Sequence, residues 1–322
     1  MRMARSAATL VLGLGFVWMG APPSAADESG PALTVAEQQM ADAVQCDAGA
    51  MSGTRKTVLL LHGTGGTAQE VWSWNYEKAL PDAGFGVCSV SLPDRALGSF
   101  AASAEYAVYA ARYAYRVSGQ PIAILGHSQA GLMAVWIAKF WPDIARSTSD
   151  VISFAGPMNG TALADGLCAA GSCSPISWQL GTNSKLTTGF KNAPLPTGTA
   201  FTSIGSLDDE VVFPQPAAST LPGGRTIMIQ DVCPGRVVDH GTYLVDAVSY
   251  RLVLDALTHD GPADPSRINA SACAETVLPG LDPAGLAEFP KTLAALTDGL
   301  INPGHWVSEE PELPTYAVPF AS

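Results

Sequence analysis

The sequence predicts an α/β fold, with a central, mostly parallel sheet carrying helices on both faces. Three observations predict it. Short continuous apolar runs recur, as in strands buried on both faces. Segments with helical spacing lie between them. The connections are short, so strand and helix alternate four times in the first half of the chain.

The elements follow in order. Residues 1–26 read as a secretory signal: Arg2 and Arg5 are basic, Ala7 to Met19 is apolar, and Ser24-Ala25-Ala26 offers small residues before Asp27. A retained anchor is the alternative. Residues 27–322 are expected to form one domain. KTVLLLHG (56–63) is the first strand. A helix is predicted over Ser73–Ala83, stopped by Gly84, and VCSVS (87–91) is the second strand. Residues 105–119 carry alanines and tyrosines at helical spacing and end at Gly119. PIAILG (121–126) is a strand, QAGLMAVWIAKFW (129–141) a helix stopped before Pro142, and DVISFAG (150–156) a strand. Residues 157–199 break the rhythm with Gly, Ser, Thr, Pro and Cys. They read as an insertion over one sheet edge, a small lid or cap region. Strands return at 200–205 and 224–231. Helices follow at 242–257 and 283–300, and a proline-rich tail runs extended at the surface.

Composition narrows the function. Charged residues are 14% and apolar ones 47%, which describes a core-rich globular chain. A net charge of −12 makes nucleic acid and anionic membranes poor partners. No segment after the signal approaches 18 apolar residues, so stable membrane insertion is not expected. Six cysteines in an exported chain suggest disulfides. Cys168 and Cys173 are close enough for a local staple. Cys46, Cys88, Cys233 and Cys273 would then form two longer bridges. No CxxC or HxxxH pairing points to zinc, and no metal is expected.

Ser128 lies in ILGHSQAGL, directly after a buried strand and before a helix. A helix cap is the plain reading. The strand–turn–helix context favours a nucleophile elbow. Such a turn needs small neighbours, and Gly126, Ala130 and Gly131 supply them, with Ala in the last place of GxSxG. An attacking serine needs a base, and the base needs an orienting carboxylate. In α/β-hydrolase chains the order is Ser, acid, His. His62 and His127 precede the serine, His259 ends a helix, and His305 lies in the tail. His240, in a loop after the strand at 224–231, is left as the base. For the acid, Asp208, Asp209 and Glu210 compete in SLDDEVV, and the pattern divides the choice between Asp208 and Asp209. HGTGG (62–66) follows the first strand. Its glycines let backbone N–H groups face an oxyanion, with donors expected from Thr64 and from the N–H of Gln129.

With these residues in view, the sequence resembles the Candida antarctica lipase B-like family of the α/β-hydrolase superfamily. VLLLHGTGG, SQAGLMAVW, SWQLGTNSKLTTGFKNA, DDEVVFPQP, VVDHG and EPELPTYAVPFA carry the likeness, from about Cys46 to Phe320. The resemblance implies Ser128 as nucleophile, Asp209 as acid and His240 as base. It implies oxyanion donation by Thr64, through N–H and hydroxyl, and by Gln129. It pairs Cys46 with Cys88 and Cys233 with Cys273, leaving Cys168 with Cys173 near the family's lid. The chain departs from the family at four positions. His127 stands where the family lipase has Trp, on the alcohol side of the pocket. Pro157 and Leu180 replace polar residues of the acyl pocket, and the family's C-terminal disulfide is missing at Glu309. The expected protein is a secreted, monomeric serine ester hydrolase, a lipase or carboxylesterase. It takes ester or lipid substrates, including at a lipid–water interface, and needs no cofactor. An exported acyltransferase with the same triad and a non-catalytic binding module are the alternatives.

Overall fold

A computed structural model describes residues 29–321. The secretory signal read over residues 1–26 lies outside the described residues.

Seven strands form one sheet: β1 (Val44–Cys46), β2 (Thr57–Leu61), β3 (Gly86–Val90), β4 (Ile122–His127), β5 (Thr148–Phe154), β6 (Ala200–Gly205) and β7 (Arg225–Met228). Their order is β1-β3-β2-β4-β5-β6-β7. All neighbours are parallel except β1, which runs antiparallel to β3 at the edge. The α/β class read from the sequence is therefore the observed one.

The apolar runs become strands because both sheet faces are covered. Side chains alternate across a strand. Leu59, Leu61, Ile122 and Ile124 enter one core, beneath the helices Phe100–Ser118 and Gln129–Phe140. Val58, Leu60, Ala123 and Leu125 enter the other, beneath Ala68–Trp72, Tyr76–Asp82 and Ala247–Thr258. A run with no polar alternation is what such a sheet requires.

Several boundaries differ from the expected ones. The helix read over 73–83 is two helices, Ala68–Trp72 and Tyr76–Asp82, because Asn75 leaves helical geometry and its side chain accepts from Tyr76 N–H. The helix read from 105 starts at Phe100, whose side chain is fully buried. It stops at Gly119, which takes the left-handed conformation at φ +64° that favours glycine. The strand read over 224–231 ends at Met228 and turns into the short helix Ile229–Val232. The 283–300 reading resolves into a short 3₁₀ turn and the helix Phe289–Ile301. Strand β1 has only three residues, none buried, and so leaves no periodic signal.

The 157–199 segment is not an edge insertion. It joins β5 to β6, which are neighbours inside the sheet. It holds three short helices, Ala162–Cys168, Pro175–Gln179 and Lys185–Asn192, and each begins with a Thr or Ser side chain accepting a backbone N–H. Three disulfides pin the chain. Cys46–Cys88 crosses the β1–β3 pair, where the two residues lie opposite each other. Cys168–Cys173 closes the end of Ala162–Cys168, and Cys233–Cys273 joins the segment after β7 to the chain beyond Ala247–Thr258. Among the described residues no helix is long and apolar enough to cross a membrane.

Candidate active site

Ser128 sits at the carboxyl end of β4, at φ +58° and ψ −129°, immediately before Gln129–Phe140. Positive φ is costly for a side chain with a Cβ, and such strain persists only where neighbours enforce it. They do so here. Ser128 N–H donates to Phe154 O at 2.8 Å, and Gly131 N–H donates to Ser128 O at 2.8 Å. The small residues of the motif are steric necessities. A Cβ on Gly126 would meet the Ala130 carbonyl oxygen at 2.1 Å, and one on Gly131 would meet Ser153 Oγ at 2.3 Å.

His240 Nε2 lies 2.9 Å from Ser128 Oγ, and His240 Nδ1 lies 3.0 Å from Asp209 Oδ1. A carboxylate only accepts, so Nδ1 carries the proton and Nε2 is left to accept from the serine hydroxyl. The imidazole is also held through its own backbone. Its N–H donates to Glu210 Oε2 at 3.1 Å, and its carbonyl accepts from His127 Nε2 at 2.9 Å. Glu210, a rival for the acid on pattern alone, is thus a backbone anchor.

Asp209 is buried, whereas Asp208 is exposed and meets Gln230. Burial pushes the Asp209 carboxyl up. The hydrogen bond and charge of His240, with the N–H groups of Val211 and Val212, more than offset burial and hold it below the usual carboxylate range. His127 is buried against His240, their ring centroids 5.0 Å apart. Burial, then the charge of His240, pushes it down to about 3, so its ring is neutral and donates through Nε2.

The loop 62–66 lies beside the serine, and a Cβ on Gly63 would sit 2.8 Å from Ser128 Cβ. His62 Nδ1 donates to Gly63 O at 2.8 Å and its Nε2 accepts from Leu92 N–H at 2.8 Å, so the ring is neutral. Burial lowers its pKa to about 4. Thr64 Oγ1 donates to Gln129 Oε1 at 2.6 Å. The hydroxyl proton of Thr64 is therefore engaged with Gln129, and the backbone N–H groups are the candidate oxyanion donors. Gln129 opens its helix, where N–H groups have no intrahelical partner.

A cavity of about 390 Å³ opens above Ser128 and His240. Its walls are largely apolar, with Leu163 and Ile176 from the 157–199 segment and Leu293 and Leu296 from Phe289–Ile301. His127, Pro157 and Leu180 all line it, as does Thr64. An apolar cavity ending on a serine–imidazole–carboxylate line can hold an acyl chain with its carbonyl at the serine. Sequence reading missed Arg95, Glu70 and Thr292, which tie the 62–66 loop to the helix Phe289–Ile301. Glu70 and Thr292 are 222 positions apart, so no local pattern marks them.

No family model matches the chain. It is 30% identical over 312 residues to Lipase B of Pseudozyma antarctica, covering 93% of this chain and 89% of that protein. The crystal structure of Aspergillus fumigatus lipase B superposes with a TM-score of 0.79 at 27% identity, over 90% of this chain and 73% of that one. The propeptide form of the Bacillus licheniformis lipase BlEst2 shares the fold alone. Its TM-score is 0.52 at 14% identity, over 68% of this chain and 53% of that one.

Proposed function

We propose a mechanism from one premise: this chain belongs to the lipase B family of α/β-hydrolases and is a lipase or carboxylic ester hydrolase. Ser128 Oγ attacks the ester carbonyl and its proton passes to His240 Nε2. The carbonyl oxygen becomes an oxyanion held by the N–H groups of Thr64 and Gln129. Collapse of this intermediate breaks the ester C–O bond, and the alkoxide leaves with the proton from Nε2. Water then attacks the acyl-enzyme while Nε2 takes a proton from it. Ser128 departs, regains that proton and releases the carboxylic acid. Asp209 stays ionised beneath the ring, which orients the imidazole and favours its cationic form.

The observation that carries this reading is the unbroken line from Ser128 Oγ to His240 Nε2 at 2.9 Å and from His240 Nδ1 to Asp209 Oδ1 at 3.0 Å. The apolar cavity supports an acyl chain as the recognised part of the substrate, with Pro157 and Leu180 on its wall and His127 beside the leaving alcohol. The three disulfides support an oxidising, extracellular location. The enzyme works there as a single-domain monomer, after loss of residues 1–26.

Ser128→Ala tests the mechanism. Turnover of a soluble ester should fall by about a million-fold if the three residues act as one unit. A fluorophosphonate should add to the parent at Ser128, read by mass spectrometry, and not to the variant. Near-normal hydrolysis by Ser128→Ala would remove the mechanism.

A further inference from the structure

The loop bearing Thr64 is clamped on both sides. On one side His62 holds the Gly63 carbonyl. On the other, Arg95 holds both main-chain groups of Gly65. Gly65 N–H donates to Arg95 O at 2.7 Å, and Arg95 Nε donates to Gly65 O at 2.8 Å. Arg95 is itself strained. Asp94, Arg95 and Ala96 all have positive φ, at 48°, 56° and 56°. Consecutive non-glycine residues in the left-handed region are expensive and point to a constraint with a use.

The guanidinium of Arg95 pairs with the largely buried carboxylate of Glu70. Glu70 Oε2 also accepts from Thr292 Oγ1 at 3.0 Å. Thr292 lies on Phe289–Ile301, the helix that roofs the cavity. One turn further along, Leu296 packs directly on the loop, since a Cβ on Gly65 would meet Leu296 Cβ at 2.7 Å. Gly65 takes φ +82° and has no side chain, and both features admit the helix. The roof therefore touches the loop through packing at Leu296 and through the chain Thr292–Glu70–Arg95–Gly65.

We propose that Arg95 and Glu70 are positioning residues for the oxyanion donor Thr64, and that Thr292 makes this positioning depend on the seating of the roof helix. The proposal deepens the serine-hydrolase reading of the site and rests on it. A substrate that seats Phe289–Ile301 also sets the loop beneath it, so acyl-chain recognition and oxyanion binding become coupled. Donors must be aligned to the oxyanion to within a few tenths of an ångström to act fully. A loop clamped at both flanking carbonyls meets that demand, and a loop freed on one side does not.

The test uses an acetate ester, too short to need the roof for binding. Thr292→Val removes the hydroxyl and keeps the shape. Its kcat on acetate should fall about fivefold with KM unchanged, the scale of one lost hydrogen bond. Thr292→Ser should restore it. Arg95→Met should lower kcat about a hundredfold, the scale of a misplaced oxyanion donor. The double variant should be no worse than Arg95→Met, because both cut one chain. Circular dichroism reports folding, and if Arg95→Met does not fold, the Thr292→Val and Thr292→Ser pair decides alone. An acetate kcat untouched by Thr292→Val, with only long-chain KM altered, would overturn the coupling. So would effects that multiply in the double variant. Ser128→Ala is run beside them. If it keeps hydrolysing, the underlying mechanism falls. If it is inactive and Thr292→Val is unaffected, only the coupling falls.

Discussion

The floor and the roof of the cavity are built by different rules. The floor is the carboxyl rim of the sheet, with Ser128 at the end of β4 and Asp209 and His240 in the loops after β6 and β7. Its geometry is set by ladder register and by contacts too close to admit a single extra carbon, as at Gly126 and Gly131. The roof is the short helices of 157–199 and the helix Phe289–Ile301. It is held by caps, one small disulfide, the Cys173–Val307 bridge and the Thr292–Glu70 bond. Leu293 and Ile301 stay about half exposed, Leu293 while lining the cavity. In the proposed mechanism the floor fixes where bonds are made, while the roof, apart from its Thr292–Glu70 link to the loop at Thr64, governs which acyl groups reach that place.

The sharpest way to break this division is Asp209→Asn. The amide keeps the shape but lets His240 adopt the wrong tautomer, and kcat should fall by about 10⁴ for every ester tested, short or long. A roof change such as Leu293→Ala should instead alter KM for long esters and leave acetate kinetics alone. Steady-state kinetics on acetate, butyrate and a long-chain ester separate the two. If Asp209→Asn spares short esters, or Leu293→Ala damages acetate turnover, floor and roof do not divide the work in this way.

The disulfides give a second, smaller contrast. In the chain-entropy view a bridge stabilises according to the loop it closes. Cys46–Cys88 spans 42 residues and Cys168–Cys173 spans 5. Replacing the first pair with serine should cost about 4 kcal/mol, and the second about 2 kcal/mol. Denaturant melts check the order. Loss of the roof bridge should also change KM for long esters, because Leu167 beside it lines the cavity. A roof bridge that matters more to stability than the β1–β3 bridge would reverse the comparison.

The same contrast explains what could be read from the sequence. The parallel strands were legible because burial on both faces leaves an unbroken apolar run, and Ser128 because strand, serine and helix follow one another directly. His240 was legible by elimination among five histidines. Asp209 was not separable from Asp208 by pattern. The difference is which way each side chain turns, and that is set by Val211 and Val212 N–H groups closing on Asp209 Oδ1. The resemblance made the choice that pattern could not. Arg95 carried no signal at all, because a left-handed backbone at a non-glycine residue is imposed by its partners. The hydrogen bond from His127 to the His240 carbonyl joins residues 113 apart and is equally silent. Local rules find elements and tight turns. They do not find the long-range bonds that hold a loop or a roof in register.

The smallest effect expected is a pH dependence that resides in the floor. Burial lowers His62 to about 4 and His127 to about 3, from an ordinary value of 6.5. In the unfolded chain both take up a proton as pH falls through 6.5, while in the folded protein both stay neutral. The unfolded state then binds more protons, so stability must fall as pH falls, starting near 6.5 and continuing toward 4 and 3. Above about pH 7 neither contributes a slope. Asp209, also depressed, acts in the same direction but only at lower pH, below the ordinary carboxylate value. Between pH 7 and 6 each histidine should cost below about 1 kcal/mol. Melting temperatures across this range should therefore decline with acid in the parent and decline less in His127→Gln, which keeps a donor toward the His240 carbonyl and cannot titrate. An identical slope in the parent and in His127→Gln would move the acid-sensitive step away from His127.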